Sequence, residues 1–234
     1  PKACVAAPDQ SEFDRLVDAV WGKSDGDLHA YGRGFVLAHA PVAAALDRTR
    51  QTPPERWITF LDNHDMDRIY STVGENWNKL TWGLNWLLTL RGIPQLYYGT
   101  EILMKNYKNP TDAEVRYDFP GGWPGDKVNK FTADGRSEIE NTAFNHIRKL
   151  AHFRKGSSAL TTGKTMQYIL KDNMYIYFRY DAKQTVMVIT NTGDKAVKPE
   201  WEYYTERMNG FTQVRNIING KIKSLSGFEI EPGE

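Results

Sequence analysis

The chain has 234 residues, 40% of them hydrophobic and 25% charged, which suffices for one large domain or for a medium domain plus a small one. A net charge of +1 leaves no electrostatic footprint for nucleic acid, and no apolar run is long enough to span a bilayer, so neither is expected as a partner. The single cysteine, Cys4, excludes an internal disulfide and a cysteine-rich zinc site.

Pro1 to Pro8 lacks the charged-then-apolar pattern of a secretory leader and an initiator Met, so a mature form or a fragment is expected. Location stays open: cytoplasmic, periplasmic and secreted settings all fit. Phe13, Leu16, Val17, Val20 and Trp21 follow the spacing of an amphipathic helix, which Gly22 to Gly26 break. A weaker helical stretch runs from about Phe35 to Leu46, interrupted by Pro41. Thr52-Pro53-Pro54 is clear punctuation.

Trp57 to Leu61 is short, apolar and β-branched, the pattern of a buried parallel strand. Polar Asp62-Asn63-His64-Asp65 follow at once. Trp77, Leu80, Thr81, Leu84, Leu87 and Leu88 then mark a helix, with Trp82 and Trp86 widening its stripe. Gly92 ends it, and Ile93-Pro94 opens an extended segment, Gln95 to Tyr98. Strand, loop, helix and strand in this order predict a parallel, right-handed βαβ unit.

Asn106 to Gly135 is rich in Gly, Pro and Asp and reads as a long structured loop. Ser137 and Glu140 form a capping box. The helix they open places Ala143, Ile147, Leu150 and Ala151 on one face and closes in basic residues and Gly156. Beyond Gly156 the period changes to two. Thr165 to Leu170, Met174 to Tyr180 and Thr185 to Asn191 read as strands, with turns at Asp172-Asn173 and Ala182-Lys183. Short strands are also expected near Gly210 to Ile218 and Gly227 to Ile230. The division is placed at 155/156, giving a segment 1–155 and an antiparallel β domain 156–234.

Polar residues directly after a parallel strand stand at the sheet edge where ligands bind. Asp62, Asn63, His64 and Asp65 supply acceptors, an amide and an imidazole, a set that suits a polyol or sugar. The competing reading is structural. In it, Asp62 or Asn63 caps the following helix and His64 is a satisfied core histidine.

Phe60 to Asp65 resembles a strand-end motif of the α-amylase family. Arg91-Gly92-Ile93-Pro94-Gln95-Leu96-Tyr97-Tyr98-Gly99-Thr100-Glu101 resembles the next strand motif of that family. Asp118-Phe119-Pro120-Gly121-Gly122-Trp123-Pro124-Gly125-Asp126 is similar to a loop of its cyclomaltodextrinase and neopullulanase branch. The three stand in the family's order and, with the β domain, cover Trp57 to about Ser226. The resemblance implies an α/β fold: the C-terminal strand-helix units of a (β/α)8 barrel, followed by a small antiparallel β-sandwich.

By that resemblance Asp65 would stabilise the transition state and His64 would donate to the same sugar. Asn63 would join the substrate-binding edge. Asp112 and Arg116 match a pair that contacts the next sugar outward. Trp123 would stack on a sugar face, or alternatively pack in the core. Glu101 is read as structural.

A retaining glycosidase needs a nucleophile and an acid/base carboxylate about 5 Å apart. The family's Gly-x-Arg-x-Asp and Glu motifs are not found in Pro1 to Arg56. Gly32-Arg33-Gly34 has no Asp at the right offset, and Asp18-Ala19-Val20-Trp21 carries Asp for Glu on an amphipathic helix. Asp62 and Glu101 are the nearest substitutes in sequence. A complete barrel takes about 250 residues and roughly 155 precede the β domain here, so the barrel is incomplete.

Three readings follow. One is a truncated or atypical α-amylase-type hydrolase acting on α-glucans or cyclodextrins. Another is a non-catalytic α-glucan-binding remnant. The third is an assembly fragment whose open barrel edges pair with another copy, which predicts a homo-oligomer. No phosphate loop, nucleophile elbow or metal pair appears; His29 and His39 lack ligand spacing relative to His64. No cofactor or metal is expected. Calcium stays open, because the family's usual calcium ligands lie largely in parts without a match here.

Overall fold

A computed structural model describes residues 54–233. The helices expected at Phe13 to Trp21 and Phe35 to Leu46 lie outside the described residues, as do Cys4, Asp18, His29, Gly32-Arg33-Gly34 and His39.

The first elements form the expected parallel unit. Strand β1 (Ile58–Thr59) is followed by helix α1 (Ile69–Thr72), helix α2 (Trp77–Thr89) and strand β2 (Ile93–Pro94). β1 and β2 pair in parallel, Ile58 opposite Ile93 and Thr59 opposite Pro94. Asn76 caps α2, its side chain accepting from the Lys79 amide at 3.1 Å. Gly92 sits two residues beyond the Leu90 C-cap with φ +103°, a conformation that favours glycine.

The expectation of a buried strand at Trp57 to Leu61 is corrected. Only two residues join the ladder, and Ile58 is 60% exposed and Ile93 53%. Among the described residues this sheet has two strands, so each strand pairs on one side only, whereas a buried parallel strand pairs on both.

Helix α3 (Glu138–Gly156) begins with the predicted capping box. Ser137 accepts from the Glu140 amide, and the Glu140 carboxylate accepts from the Ser137 amide at 2.8 Å. Leu80, Leu84 and Leu88 of α2 pack against Ala143, Ile147 and Leu150 of α3, with Leu103 closing the cluster. Two positions depart from the expected face of α3. Ala151 is exposed and Arg154 is buried. Arg154 follows Leu150 by four residues on the same stripe. It is tolerated inside because its guanidinium donates to the carbonyls of Leu88 (3.0 Å), Leu90 (2.9 Å) and Gly92 (2.6 Å). The Leu88 and Leu90 carbonyls lie at the C-terminal end of α2 and the Gly92 carbonyl just beyond it, where intrahelical partners run out.

Helix α4 (Ser158–Thr161) leads into a three-stranded antiparallel sheet of β3 (Lys164–Gln167), β4 (Met174–Tyr180) and β5 (Thr185–Asn191), in the order β3-β4-β5. Asp172 and Asn173 make the β3–β4 turn with φ of 53° and 60°, the paired positive values of a tight hairpin. Helix α5 (Thr205–Met208) and the hairpin β6 (Gln213–Arg215) with β7 (Ile222–Ser224) complete the chain. At the segment expected near Gly227 to Ile230 a single bridge forms, Ile230 to Val197.

The central strand β4 is buried on both faces. Met174, Ile176 and Phe178 face a core with Tyr204, Met208, Leu225 and Ile230. The alternate face turns to the end of α2. The Tyr177 hydroxyl bonds the Thr89 hydroxyl at 2.5 Å, and Arg179 donates to the Thr89 carbonyl at 3.1 Å. The Tyr175 ring meets Trp86 edge-on. Burial raises the Tyr177 phenol pKa above its ordinary value. The region after Gly156 is thus seated on α2 through a full strand face.

Candidate functional site

The segment after β1 divides its labour between structure and surface. Asp62 is buried at 2% exposure. Its carboxylate accepts from the Ile69 amide at 2.9 Å, at the start of α1, and from the Thr100 hydroxyl at 3.4 Å. Burial raises its pKa, opposed by the Ile69 hydrogen bond and the Arg68 charge. Asp62 therefore anchors the first amide of the short α1, whose N-cap is Arg68, while Asn76 caps α2; Asp62 is too enclosed to attack a substrate.

Asn63 turns the chain outward. Its side-chain oxygen accepts from the Asp65 amide at 2.8 Å, a local turn that presents the next carboxylate. His64 and Asp65 then stand in solvent, so the core-histidine reading of His64 does not hold. Their side chains meet: His64 Nε2 lies 3.3 Å from Asp65 Oδ2.

Arg116 closes the cluster from the long loop. It follows a 3-10 turn, Asp112–Val115. Its Nη2 donates to Asp65 Oδ1 at 2.8 Å and to Asp112 Oδ2 at 3.2 Å. Its Nε donates to the His64 carbonyl at 2.8 Å. Asp65, His64, Asp112 and Arg116, some fifty residues apart in two groups, thus converge on one surface. Lys108 joins them, 3.1 Å from Asp112. It was missed in the sequence, although Lys108, Asp112 and Arg116 share a spacing of four.

The frame beneath is aromatic and cationic. The Tyr98 hydroxyl donates to the Tyr117 carbonyl at 2.7 Å, tying the segment after β2 to the loop that carries Arg116. Arg68, 1% exposed, lies over the rings of Tyr97 and Tyr98 at 4.1 and 4.7 Å and donates to the Tyr98 carbonyl at 2.5 Å. No motif marked Arg68; only packing reveals it.

Two other candidates stand apart. Trp123 is 69% exposed, which removes the core-packing alternative, and its amide donates to Asp126. None of its described contacts reaches the Asp65 cluster. Glu101 has a buried carboxylate oxygen without a hydrogen-bond partner and lies in the turn after β2. Among the described residues no three His, Cys, Asp or Glu side chains converge as a metal group. Among the same residues no helix is long and apolar enough to cross a membrane.

Comparison with known proteins gives two family matches. Residues 38–120 match the α-amylase catalytic domain, and residues 165–230 match the cyclo-malto-dextrinase C-terminal domain. A cyclomaltodextrin glucanotransferase of Geobacillus stearothermophilus is 32% identical over 186 residues, covering 76% of this chain and 23% of that protein. An α-amylase of Niallia circulans is 36% identical over 134 residues, covering 57% of this chain and 22% of that one. The chain thus spans about a quarter of the length of these curated relatives. Among solved structures, an Anoxybacillus α-amylase superposes with a TM-score of 0.59 at 21% identity, over 84% of this chain and 41% of that chain. The α-amylase of Geobacillus thermoleovorans also gives 0.59, at 20% identity over 78% and 38%. These likenesses establish the fold: part of a (β/α)8 barrel with a C-terminal β domain.

Proposed function

Because this chain belongs to the α-amylase family, as its C-terminal part, we propose that it carries the sugar-gripping edge of a glycoside hydrolase acting on α-glucans or cyclodextrins. The observation that carries this reading is the convergence of Asp65, His64, Asp112 and Arg116 on an exposed strand end. In this reading Asp65 accepts from sugar hydroxyls and stabilises the positive charge that develops at the transition state. His64 donates to the same sugar. Asn63 fixes the turn that aims Asp65. Asp112 and Arg116 contact the next sugar outward, and Trp123 offers a stacking face.

The nucleophile and the acid/base carboxylate of such a reaction stand about 5 Å apart. Asp112 shares a guanidinium with Asp65, an arrangement for gripping rather than for proton donation. In this reading the nucleophile and acid/base carboxylate are supplied by residues other than Asp62, Asp65 and Asp112. The alternative reading, a glucan-binding remnant without turnover, is favoured by the enclosure of Asp62, which leaves it no route to a sugar.

We place the division between barrel segment and β domain at 155/156, in the last turn of α3 and ahead of α4 and the first antiparallel strand. Exposed Ile58 and Ile93 on the two-stranded parallel sheet support pairing with a further barrel segment or a second copy. Light scattering at micromolar concentration tests self-association, and a monomer counts against it.

The deciding experiment is hydrolysis of soluble starch and β-cyclodextrin by the 234-residue chain, with Asp65→Asn as control. Activity lost in the variant means that the chain assembles a working site around Asp65. Retained sugar binding without activity, weakened in the variant, identifies the remnant. Hydrolysis that survives Asp65→Asn overturns the assignment of Asp65.

A further inference from the structure

The chain holds two Asn-Gly dipeptides, Asn209-Gly210 and Asn219-Gly220, and all of these residues are exposed. Asparagine is thermolabile, and a following glycine leaves its backbone nitrogen open to approach because no Cβ shields it. As sequence the two dipeptides are alike. The structure sets them in opposite environments.

Met208 to Phe211 forms a turn directly after α5. The Phe211 amide donates to the Met208 carbonyl at 3.1 Å and so closes it. Asn209 has φ −59° and ψ 129°, and Gly210 has φ +85°, the angles of a type II turn. Among the described residues no hydrogen bond engages the Gly210 amide or the Asn209 side chain. No atom beyond its chain neighbours lies within 4 Å of where a Gly210 Cβ would stand, so the peptide between the two residues has room to rotate. Asn219-Gly220 is cross-tied instead. The Gly220 amide donates to the Asn216 carbonyl at 2.8 Å, and the Asn219 amide donates to Asn216 Oδ1 at 3.1 Å. The Asn219 side-chain oxygen accepts from the Lys221 amide at 2.9 Å. Freeing the Gly220 nitrogen therefore breaks hydrogen bonds that Gly210 does not make.

We infer that Asn209 is a site of spontaneous deamidation and that the fold protects Asn219 from the same reaction. The Gly210 amide gives its proton to hydroxide, and its nitrogen attacks the side-chain carbonyl carbon of Asn209. The bond from that carbon to the side-chain nitrogen breaks, and ammonia leaves with a proton from water. Water then opens the cyclic imide at either carbonyl, to aspartate or to isoaspartate. The net change is a water taken up and an ammonia released, with nothing oxidised or reduced. Ring closure needs the Asn209 ψ angle to swing away from 129°, which the single Phe211–Met208 hydrogen bond opposes. The product takes the net charge of the chain from +1 to zero. Isoaspartate also adds a methylene to the backbone between buried Met208 and Phe211, which undoes the turn.

The test ages the 234-residue chain at mildly alkaline pH and follows both dipeptides by peptide mapping, with isoaspartyl methyltransferase labelling the isoaspartate. In the folded chain Asn209 should deamidate about tenfold faster than Asn219, the size of the hydrogen bonds that Asn219-Gly220 must give up. In urea, where neither dipeptide keeps its partners, the two rates should converge. Asn209→Gln should remove most of the label from the folded chain, and Asn219→Gln should leave it. Both side chains are exposed, so folding should survive. Equal rates in the folded chain, or a faster Asn219, overturn the inference. So does a difference that persists in urea, because neighbouring sequence rather than the turn would then set it.

Discussion

Arg116 donates to Asp65 Oδ1 at 2.8 Å and, through its Nε, to the His64 carbonyl at 2.8 Å. One planar guanidinium thereby fixes both the side chain of Asp65 and the backbone just before it. Its fork geometry makes this feasible, and a lysine ammonium could not reproduce it. All these groups are exposed, so the arrangement orients the site without adding much to stability.

Arg116→Ala should therefore separate binding from stability. Maltohexaose binding at the strand end should fall roughly tenfold, the loss of one charge-assisted hydrogen bond's orientation. The Tm should move by less than about 2 °C, as for other exposed ion pairs. Calorimetric titration and differential scanning calorimetry check the two halves. A large fall in Tm would show that Arg116 is structural instead.

Arg154→Ala should do the opposite. Its guanidinium satisfies three carbonyls at the end of α2 and is buried. Removing it strands those acceptors and opens a void, at a cost of about 3 kcal/mol. Arg154→Lys should recover little, because a single ammonium cannot reach all three carbonyls. Urea unfolding of both variants measures this.

Gly92→Ala should disrupt the parallel pair. A Cβ there would lie 2.8 Å from the Trp57 carbonyl, at a backbone angle of φ +103°. That carbonyl accepts from the Ile93 amide at 2.7 Å, one of the bonds that register β1 against β2. A destabilisation of about 2 kcal/mol is expected from strain and the displaced bond. Slower-exchanging amides at Ile93 and Gln95 in the unsubstituted chain, and their faster exchange in the variant, provide the readout.

His146 should give the fold an acid-sensitive element. It bonds the Asn85 side chain at 2.7 Å and meets the Trp77 ring edge-on. Burial, and then the nearby Lys149 charge, lower its pKa below the ordinary 6.5. The unfolded chain then binds a proton more readily than the folded one in the window below pH 6.5. Its contribution is whole above pH 6.5 and is lost as pH falls through the lowered folded value. The Tm of the unsubstituted chain should fall across that window, and His146→Gln should flatten this part of the slope.

The β strands after Gly156 were legible because their period is local. The expected spans Met174 to Tyr180 and Thr185 to Asn191 coincide with β4 and β5. The hairpin turn at Asp172-Asn173 and the capping box at Ser137 were legible for the same reason: each is a contact between near neighbours in sequence. The spacing of α2 fixed its buried stripe before any partner was known. Arg154 was not legible. A cation near a helix end normally reads as solvent-facing, and the carbonyls that hold it inside belong to another helix.

The sequence alone determined the α-amylase resemblance, the order of the elements and the residue types at the strand end, since these depend on chain-local pattern. Tertiary structure decided which of the two carboxylates is exposed. Residue type alone does not separate Asp62 from Asp65, although the family resemblance singles out Asp65. The start of α1 and the neighbouring Arg68 and Thr100 enclose the first, while the Asn63 turn sends the second out to Arg116. Thr100 and Arg116, which complete these two environments, lie 38 and 51 residues away, and no local pattern encodes them.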